Sequence, residues 1–349
     1  MERSIYRIID ANFNRAREAT RVIEEFCRFR LNSSLLTERA KQLRHELSAS
    51  IDKLDGGRLI SSRDTVSDVG IGKTIPNQLQ RSDLKSCFTA GAKRLTEALR
   101  VLAEMTQTLN PSIAETIEKL RYTAYTLEKD ITIFSDTTEK FKQVKLYVII
   151  SSSVASEVLS LTSQCVAGGA DCIQLRSKKL QDDVLFTLAD KFTRICKADG
   201  VLGIINDRTD IAVATGADGV HLGQNDLPVE QARKLAPSPL IIGKSTHSLE
   251  QLHAACQENP TYVGLGPVFA TTTKPGTQAV GLDYVNKGTR MLANTGIGHV
   301  AIGGITPDNV EDVLRAGAKA IAVCAAITKT SNPTAACRLL KEKITLFKK

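Results

Sequence analysis

The chain has 349 residues, 42% hydrophobic and 24% charged, a length that suits two domains, or one large barrel with an extension, at roughly 100–200 residues per domain. No run reaches the ~18–20 apolar residues of a membrane helix, no secretory leader is expected at Met1–Arg7, and eight scattered cysteines without a C-x-x-C pair suit a reducing cytoplasm. The net charge of +8 comes with no Lys/Arg block and only 5% aromatics, which disfavours nucleic acid and a membrane as partners and points to phosphorylated small molecules.

Before about residue 140 glycine is sparse and apolar residues recur at helical spacing. This half contains an internal repeat: Ala11–Glu25 aligns with Ala90–Glu104, and Arg15, Glu18, Ala19, Arg21, Val22 and Glu25 fall on Arg94, Glu97, Ala98, Arg100, Val101 and Glu104. A second helix is expected after each copy, over Leu36–Ile51 and Ile113–Ile131, so the repeated unit is an αα-hairpin and two copies make an all-α helical bundle. Glu18 and Arg21, or Glu97 and Arg100, stand at i, i+3 and can pair along a helix face, chiefly as structural lacing. Between the copies, Ile60–Lys73 is a long polar segment whose Arg63, Ser67, Gly70 and Lys73 can be imagined around an anion. The polar stretch Ser135–Lys142 reads as a linker, dividing the chain into a helical domain, 1–140, and a second domain, 141–349.

The second half alternates short apolar runs with helical segments. The runs are Leu146–Ile150, Cys172–Leu175, Gly203–Ile205, Gly219–Leu222, Leu240–Gly243, Tyr262–Gly266, His299–Ile302 and Ala320–Cys324. Helices are expected over Val154–Ala167, Gln181–Ala198, Pro228–Ala236 and Thr306–Ala316. Eight such units predict an α/β fold, a (β/α)8 TIM-type barrel; an open doubly wound sheet is the alternative but usually has five or six strands.

Active sites of these barrels lie at the C-terminal strand ends, and here those ends are polar. Asp207 and Asp226 follow neighbouring strands, and Lys178 and Lys274 approach from others. Two carboxylates with substrate phosphate oxygens can hold Mg²⁺. Asp207 alone is as readily a turn residue, and the convergence of charges is what favours a metal–diphosphate site. Gly303-Gly304 and the end of the eighth strand occupy the usual phosphate position. His247 is as readily structural as catalytic.

As a set, these strand ends resemble the thiamine-phosphate synthase family. The matching strings are Gln174-Leu175-Arg176-Ser177-Lys178, Asn206-Asp207-Arg208, Gly219-Val220-His221-Leu222-Gly223-Gln224-Asn225-Asp226, Ser245-Thr246-His247-Ser248, Tyr262–Phe269 with Thr271-Thr272-Thr273-Lys274, and Ile302-Gly303-Gly304-Ile305. They span about residues 145–345, and the first half looks like the helical extension of long-form members. The resemblance implies that hydroxymethylpyrimidine diphosphate is joined to thiazole phosphate with release of diphosphate. It places Gln174, Leu175, Arg176, Ser177, Lys178, Asn206, Ser245 and Lys274 around the pyrimidine diphosphate, with Lys178, Ser245 and Lys274 catalytic. Thr271, Thr272, Thr273, Gly304, Cys324 and Ala325 match the thiazole phosphate site, and Asp207 and Asp226 the Mg²⁺ ligands. The family usually has an apolar residue and Ser where this chain has Cys324-Ala325, which removes a hydroxyl donor. A thiazole tautomerase of similar fold would not need the metal–diphosphate set, and a non-catalytic regulatory protein acting through its helical half would be expected to have damaged strand ends. A homo-oligomer, and any second activity in residues 1–140, are left open by the sequence.

Overall fold

The computed structural model describes residues 2–70, 72–73, 80–271 and 278–347. Contacts divide the chain into two units, Met1–Thr132 and Ile133–Lys349. The first is helical. Helix α1 (Glu2–Glu25) runs into a π-helical turn, Phe26–Arg30, and is followed by α2 (Ser34–Asp55), α3 (Arg58–Ser62), α4 (Leu84–Gln107) and α5 (Pro111–Phe141). Burial of Ile9, Phe13, Ala16, Thr20 and Ile23 at three- and four-residue spacing gives α1 its inner face. The Ser33 side chain accepts the Leu36 N–H at the start of α2, and Asp83 with Ser86 closes a capping box on α4.

The two copies of the repeat become α1 and α4, which pack on each other. A Cβ at Gly91 would lie 3.3 Å from Val22 Cγ1, so glycine permits the close crossing. The repeated arginines pair forward rather than back to Glu18 and Glu97: Arg21 meets Glu25 and Arg100 meets Glu104, each at 2.6 Å. Longer links tie the helices together, Arg44 to Glu24 at 3.1 Å and Arg39 to Asp130 at 2.8 Å. The segment after α3 does not present Arg63 to an anion. Its guanidinium holds both oxygens of Asp10, at 2.7 and 2.6 Å, and is thereby fixed to α1.

Ser135–Phe141, expected as linker, is instead the end of α5, and the division between units falls inside that helix. Phe134, Thr137 and Phe141 are buried at i, i+3 and i+7. Thr137 hides this helical period in the sequence because it reads as polar, while its hydroxyl is satisfied by the Ile133 carbonyl at 2.9 Å.

The second unit continues with β1 (Leu146–Ile150), α6 (Ala155–Ala167), β2 (Cys172–Leu175), α7 (Asp182–Ala198), β3 (Leu202–Asn206), α8 (Thr209–Ala214), β4 (Gly219–Leu222), α9 (Val229–Leu235), β5 (Ile241–Thr246) and α10 (Leu249–Glu258). There follow β6 (Tyr262–Leu265), α11 (Gly281–Leu292), β7 (Gly298–Ile302), α12 (Val310–Arg315), β8 (Ile321–Val323), α13 (Ala325–Thr328) and α14 (Pro333–Leu346). All eight strands pair in parallel with their sequence neighbours, and β8 closes on β1. Helix α12 starts later than expected because Thr306–Asn309 forms a turn, in which Asn309 Oδ1 accepts the Thr306 N–H at 2.8 Å.

Side chains alternate across the sheet. Val148, Ile173, Val220 and Ile242 face the helices, while Tyr147, Ile204, Ile241, Tyr262 and Val300 fill the barrel. Phe141 belongs to the inner cluster: it stacks on Tyr262 with ring centroids 4.1 Å apart and planes 7° from parallel. The end of α5 therefore supplies a barrel residue, and Phe141→Ala is expected to cost about 3 kcal/mol. This should lower the barrel's melting transition by roughly 6–12 °C, measured on the full chain by near-ultraviolet circular dichroism. A shift below about 2 °C would show that the stack contributes little.

Candidate active site

The strand ends enclose a cavity of about 400 Å³ lined from all eight strands or the loops that follow them. Sheet alternation decides which residues reach it. On β2, Gln174 faces inward, whereas the Leu175 side chain lies in the core between barrel and helices and is withdrawn from the cavity. Arg176 and Lys178, in the following loop, line it, and Arg176 donates to Ser151 Oγ at 3.1 Å. The Ser177 hydroxyl is shielded, has no hydrogen-bond partner among the described residues and is not part of the lining. Asn206, Asp207, Asp226, Ser245, Thr271, Gly304, Cys324 and Ala325 all border the cavity. Thr272, Thr273 and Lys274 lie outside the described residues. Arg208 turns away, pairing with Asp182 and with Asp210, the latter at 2.6 Å.

Asp207 has φ +62°, the left-handed region that aspartate tolerates better than most residues. Its N–H donates to the His221 carbonyl at 2.8 Å, fixing the end of β3 against β4. Asp226 turns back so that its Oδ2 accepts the Gly223 N–H at 2.6 Å. Burial, together with the hydrogen bond and charge of the adjacent Asp226, raises the Asp207 pKa, and Lys178 and Arg176 offset part of the rise. Lys178 Nζ stands 3.7 Å from Asp207 Oδ2. Two hard oxygen donors held together against their repulsion suit a divalent cation. Among the described residues no third acidic, His or Cys side chain joins them, so a cation there would complete its shell from substrate oxygens and water.

Below the mouth, hydrogen bonds cross the barrel interior. Gln174 Nε2 donates to the Tyr147 hydroxyl at 2.9 Å, and Tyr147 and Tyr262 share a bond of 2.9 Å. Tyr262 meets His221 Nδ1 at 3.0 Å, and His221 Nε2 meets Ser245 Oγ at 2.8 Å. Tyr147, Tyr262 and His221 are absent from the sequence-derived site because they sit inside runs read only as apolar. Strand parity was the signal for two of them: Tyr147 lies two residues before Ile149, opposite inward Gln174, and His221 lies opposite Asn206. Gly243 leaves room for the rings, since a Cβ there would lie 2.2 Å from Tyr262 Cζ and 2.5 Å from His221 Nδ1.

On the far side of the mouth, Gly304 has φ +63°, and a Cβ would meet the Ala270 carbonyl at 2.6 Å, so both backbone and space require glycine. His247 has the partners of a structural residue: its Nδ1 donates to the Gly266 carbonyl at 2.5 Å, and its backbone N–H donates to Gln251 Oε1 at 2.8 Å.

A closed parallel barrel with carboxylates, a lysine and hydrogen-bonding groups gathered at the C-terminal strand ends has the build of a barrel enzyme. Residues 146–327 match the family profile described as Thiamine monophosphate synthase, and residues 7–130 match the ThiD2 family. A thiamine-phosphate synthase of Nostoc punctiforme is 38% identical over 348 residues, 100% of this chain and 96% of that one. Its counterpart in Synechocystis is also 38% identical, over 95% of this chain and 94% of that one. The solved thiamine phosphate pyrophosphorylase from Pyrococcus furiosus is 32% identical, covers 60% of this chain and 97% of its own, and superposes with a TM-score of 0.54. The chain belongs to the thiamine-phosphate synthase family.

The raised pKa of Asp207 has a consequence for stability. The folded chain holds this proton more tightly than the unfolded chain, so the group's contribution falls as pH rises from the ordinary carboxylate range through the folded value. Asp207→Asn removes the repulsion and keeps a residue suited to φ +62°. At neutral pH the ligand-free variant should melt about 2 °C higher, the shift that roughly 0.5–1 kcal/mol produces in a unit of this size. The gain should vanish under acid conditions that protonate Asp207. Thermal scans at the two pH values check it, and a lower melting point at neutral pH would contradict the repulsion.

Proposed function

We propose that the barrel joins 4-amino-5-hydroxymethyl-2-methylpyrimidine diphosphate to 4-methyl-5-(2-phosphoethyl)thiazole, forming thiamine phosphate and diphosphate. The observation that carries this reading is the Asp207–Asp226 pair facing Lys178 at the mouth of a cavity that Gln174 and Ser245 also line. In this reading Asp207 and Asp226 hold Mg²⁺, which when bound screens the diphosphate charge and favours its departure. Lys178 and Lys274 add positive charge where negative charge grows on the leaving group. Gln174, Asn206 and Ser245 orient the pyrimidine. Thr271, Thr272, Thr273, Gly304, Cys324 and Ala325 receive the thiazole phosphate.

The bond from the pyrimidine methylene to oxygen breaks, and diphosphate leaves with the electron pair. The electron-rich aminopyrimidine spreads the resulting positive charge, and the thiazole nitrogen attacks through its lone pair. That nitrogen carries no proton, so no side chain has to remove one. The apolar walls, Ile149, Val300 and Ile302 among them, limit access of the water that would otherwise capture the cation. A barrel that only tautomerises a thiazole has no use for paired carboxylates beside a lysine. Nothing in the site calls for a membrane or nucleic acid, and we place the reaction in the cytoplasm.

Diphosphate release should require both substrates and a divalent cation. Asp226→Asn should lower turnover at saturating Mg²⁺ by at least about 100-fold, as loss of one strong transition-state contact does; near-normal turnover would remove Asp226 from the metal site. Ala325→Ser restores the hydroxyl that the family usually carries. One added hydrogen bond to a charged group, about 1.5 kcal/mol, should lower the KM for thiazole phosphate by up to about tenfold. Steady-state kinetics check this, and a higher KM would place Ala325 away from the phosphate.

A further inference from the structure

The five-residue chain inside the barrel can be ordered from its one fixed donor, Gln174 Nε2. Gln174 turns Nε2 toward the Tyr147 oxygen, which leaves the Tyr147 hydrogen for the Tyr262 oxygen at 2.9 Å, a stronger acceptor than the neighbouring Cys172 thiol. Tyr262 then has its hydrogen for His221 Nδ1, which acts as acceptor. A neutral imidazole that accepts at Nδ1 carries hydrogen at Nε2 and donates it to Ser245 Oγ. The Ser245 hydrogen is left for the cavity, which Ser245 and Gln174 both line. Each hydroxyl has a single hydrogen, so once Tyr147 donates to Tyr262, only this order leaves every hydroxyl hydrogen of the chain with an acceptor. An imidazolium would break the order, since both ring nitrogens would donate and the Tyr262 hydrogen would have to turn back to the Tyr147 oxygen. Burial pushes both phenols well above their usual pKa, which keeps their protons in place.

We propose that this chain is a polarity relay that sets substrate specificity: it holds His221 as the neutral Nε2–H tautomer, presents Gln174 Oε1 to the cavity as an acceptor and presents the Ser245 hydroxyl as a donor. Tyr147, Tyr262 and His221 are positioning residues in this scheme. A heterocycle with an amino hydrogen for Gln174 and an unprotonated ring nitrogen for Ser245 fits. A ring with an oxo group and a protonated ring nitrogen meets acceptor with acceptor and donor with donor, and pays for two unmatched buried groups. The preference for an aminopyrimidine over its oxo counterpart rests on the synthase reading, whereas the His221 tautomer does not.

The test uses the full chain labelled with ¹⁵N-histidine, with the His221 signals assigned by their loss in His221→Gln. Long-range ¹H–¹⁵N correlations should show His221 protonated at Nε2 and bare at Nδ1 at neutral pH. An Nδ1–H tautomer or an imidazolium in the unsubstituted protein would overturn the relay. Tyr262→Phe keeps the ring stacked on Phe141 but removes the link, and the Nε2–H tautomer should no longer predominate. In competition binding, the unsubstituted protein should prefer the 4-amino pyrimidine diphosphate over its 4-oxo analogue by about 100-fold or more, as expected of a site with matched buried polar groups. Tyr262→Phe should lower that preference by at least about tenfold; an unchanged preference with an intact fold would also overturn the relay. If no pyrimidine is turned over, the synthase reading fails, and the tautomer measured in the unsubstituted protein still decides the relay.

Discussion

Closing eight parallel strands into a ring brings every C-terminal strand end to one mouth and makes side chains alternate between the interior and the helix-covered face. Both features of the site follow. Residues remote in sequence, such as Gln174, Asp207, Asp226 and Ser245, share a cavity because the chain winds once around it. Adjacent residues part company, so that Gln174 enters the cavity while Leu175 packs behind the sheet. Alternation also sets the contents of the layer below. Tyr147, His221 and Tyr262 can meet only because Gly243 stands on the inner face between them, where any side chain would overlap the rings.

The sequence made the strands legible because parallel strands buried on both faces read as apolar runs between helical segments. It made the mouth legible because polar residues at strand ends have no packing role. The same uniformity concealed the interior: tyrosines 147 and 262 count as apolar, and their hydroxyl partners come from strands far away in the chain. The end of α5 was lost for a related reason. Thr137 looks like surface, yet it lies buried between Phe134 and Phe141 on the helix's inner side. Residues within a single turn were legible by type but not by direction. Arg63 reads as available to an anion, whereas Asp10, 53 positions earlier, takes the Nε–Nη2 edge of its guanidinium.

The helical repeat shows how a duplicated sequence keeps its packing while its ion pairs diverge. Arg21–Glu25 and Arg100–Glu104 are equivalent in both copies. Beyond them the copies differ: Arg44 reaches Glu24, whereas the second copy has Ala103 at that place, and its Arg121 turns to Glu118 on its own helix. Exposed pairs of this kind contribute little each, so they can change as long as the buried stripe that joins α1 to α4 is kept. The buried Glu24 is the exception, because an unpaired carboxylate there would be costly, and it is held by two arginines.

The barrel separates two electrostatic regimes by depth. At the mouth, Asp207 and Asp226 are held beside each other with Lys178 and Arg176 nearby, an arrangement of opposed charges that a cation and a polyanion would complete. One layer down, Gln174, Tyr147, Tyr262, His221 and Ser245 are joined by hydrogen bonds with no ion pair among them. A charge placed in that layer would meet phenols that burial keeps protonated, and a neutral ring placed at the mouth would leave the carboxylates uncompensated. A ligand with a flat polar ring at one end and a polyanionic group at the other satisfies both layers in one orientation only. Under the proposed reaction, the order of these layers would orient the substrate before any single contact distinguishes one ring from another.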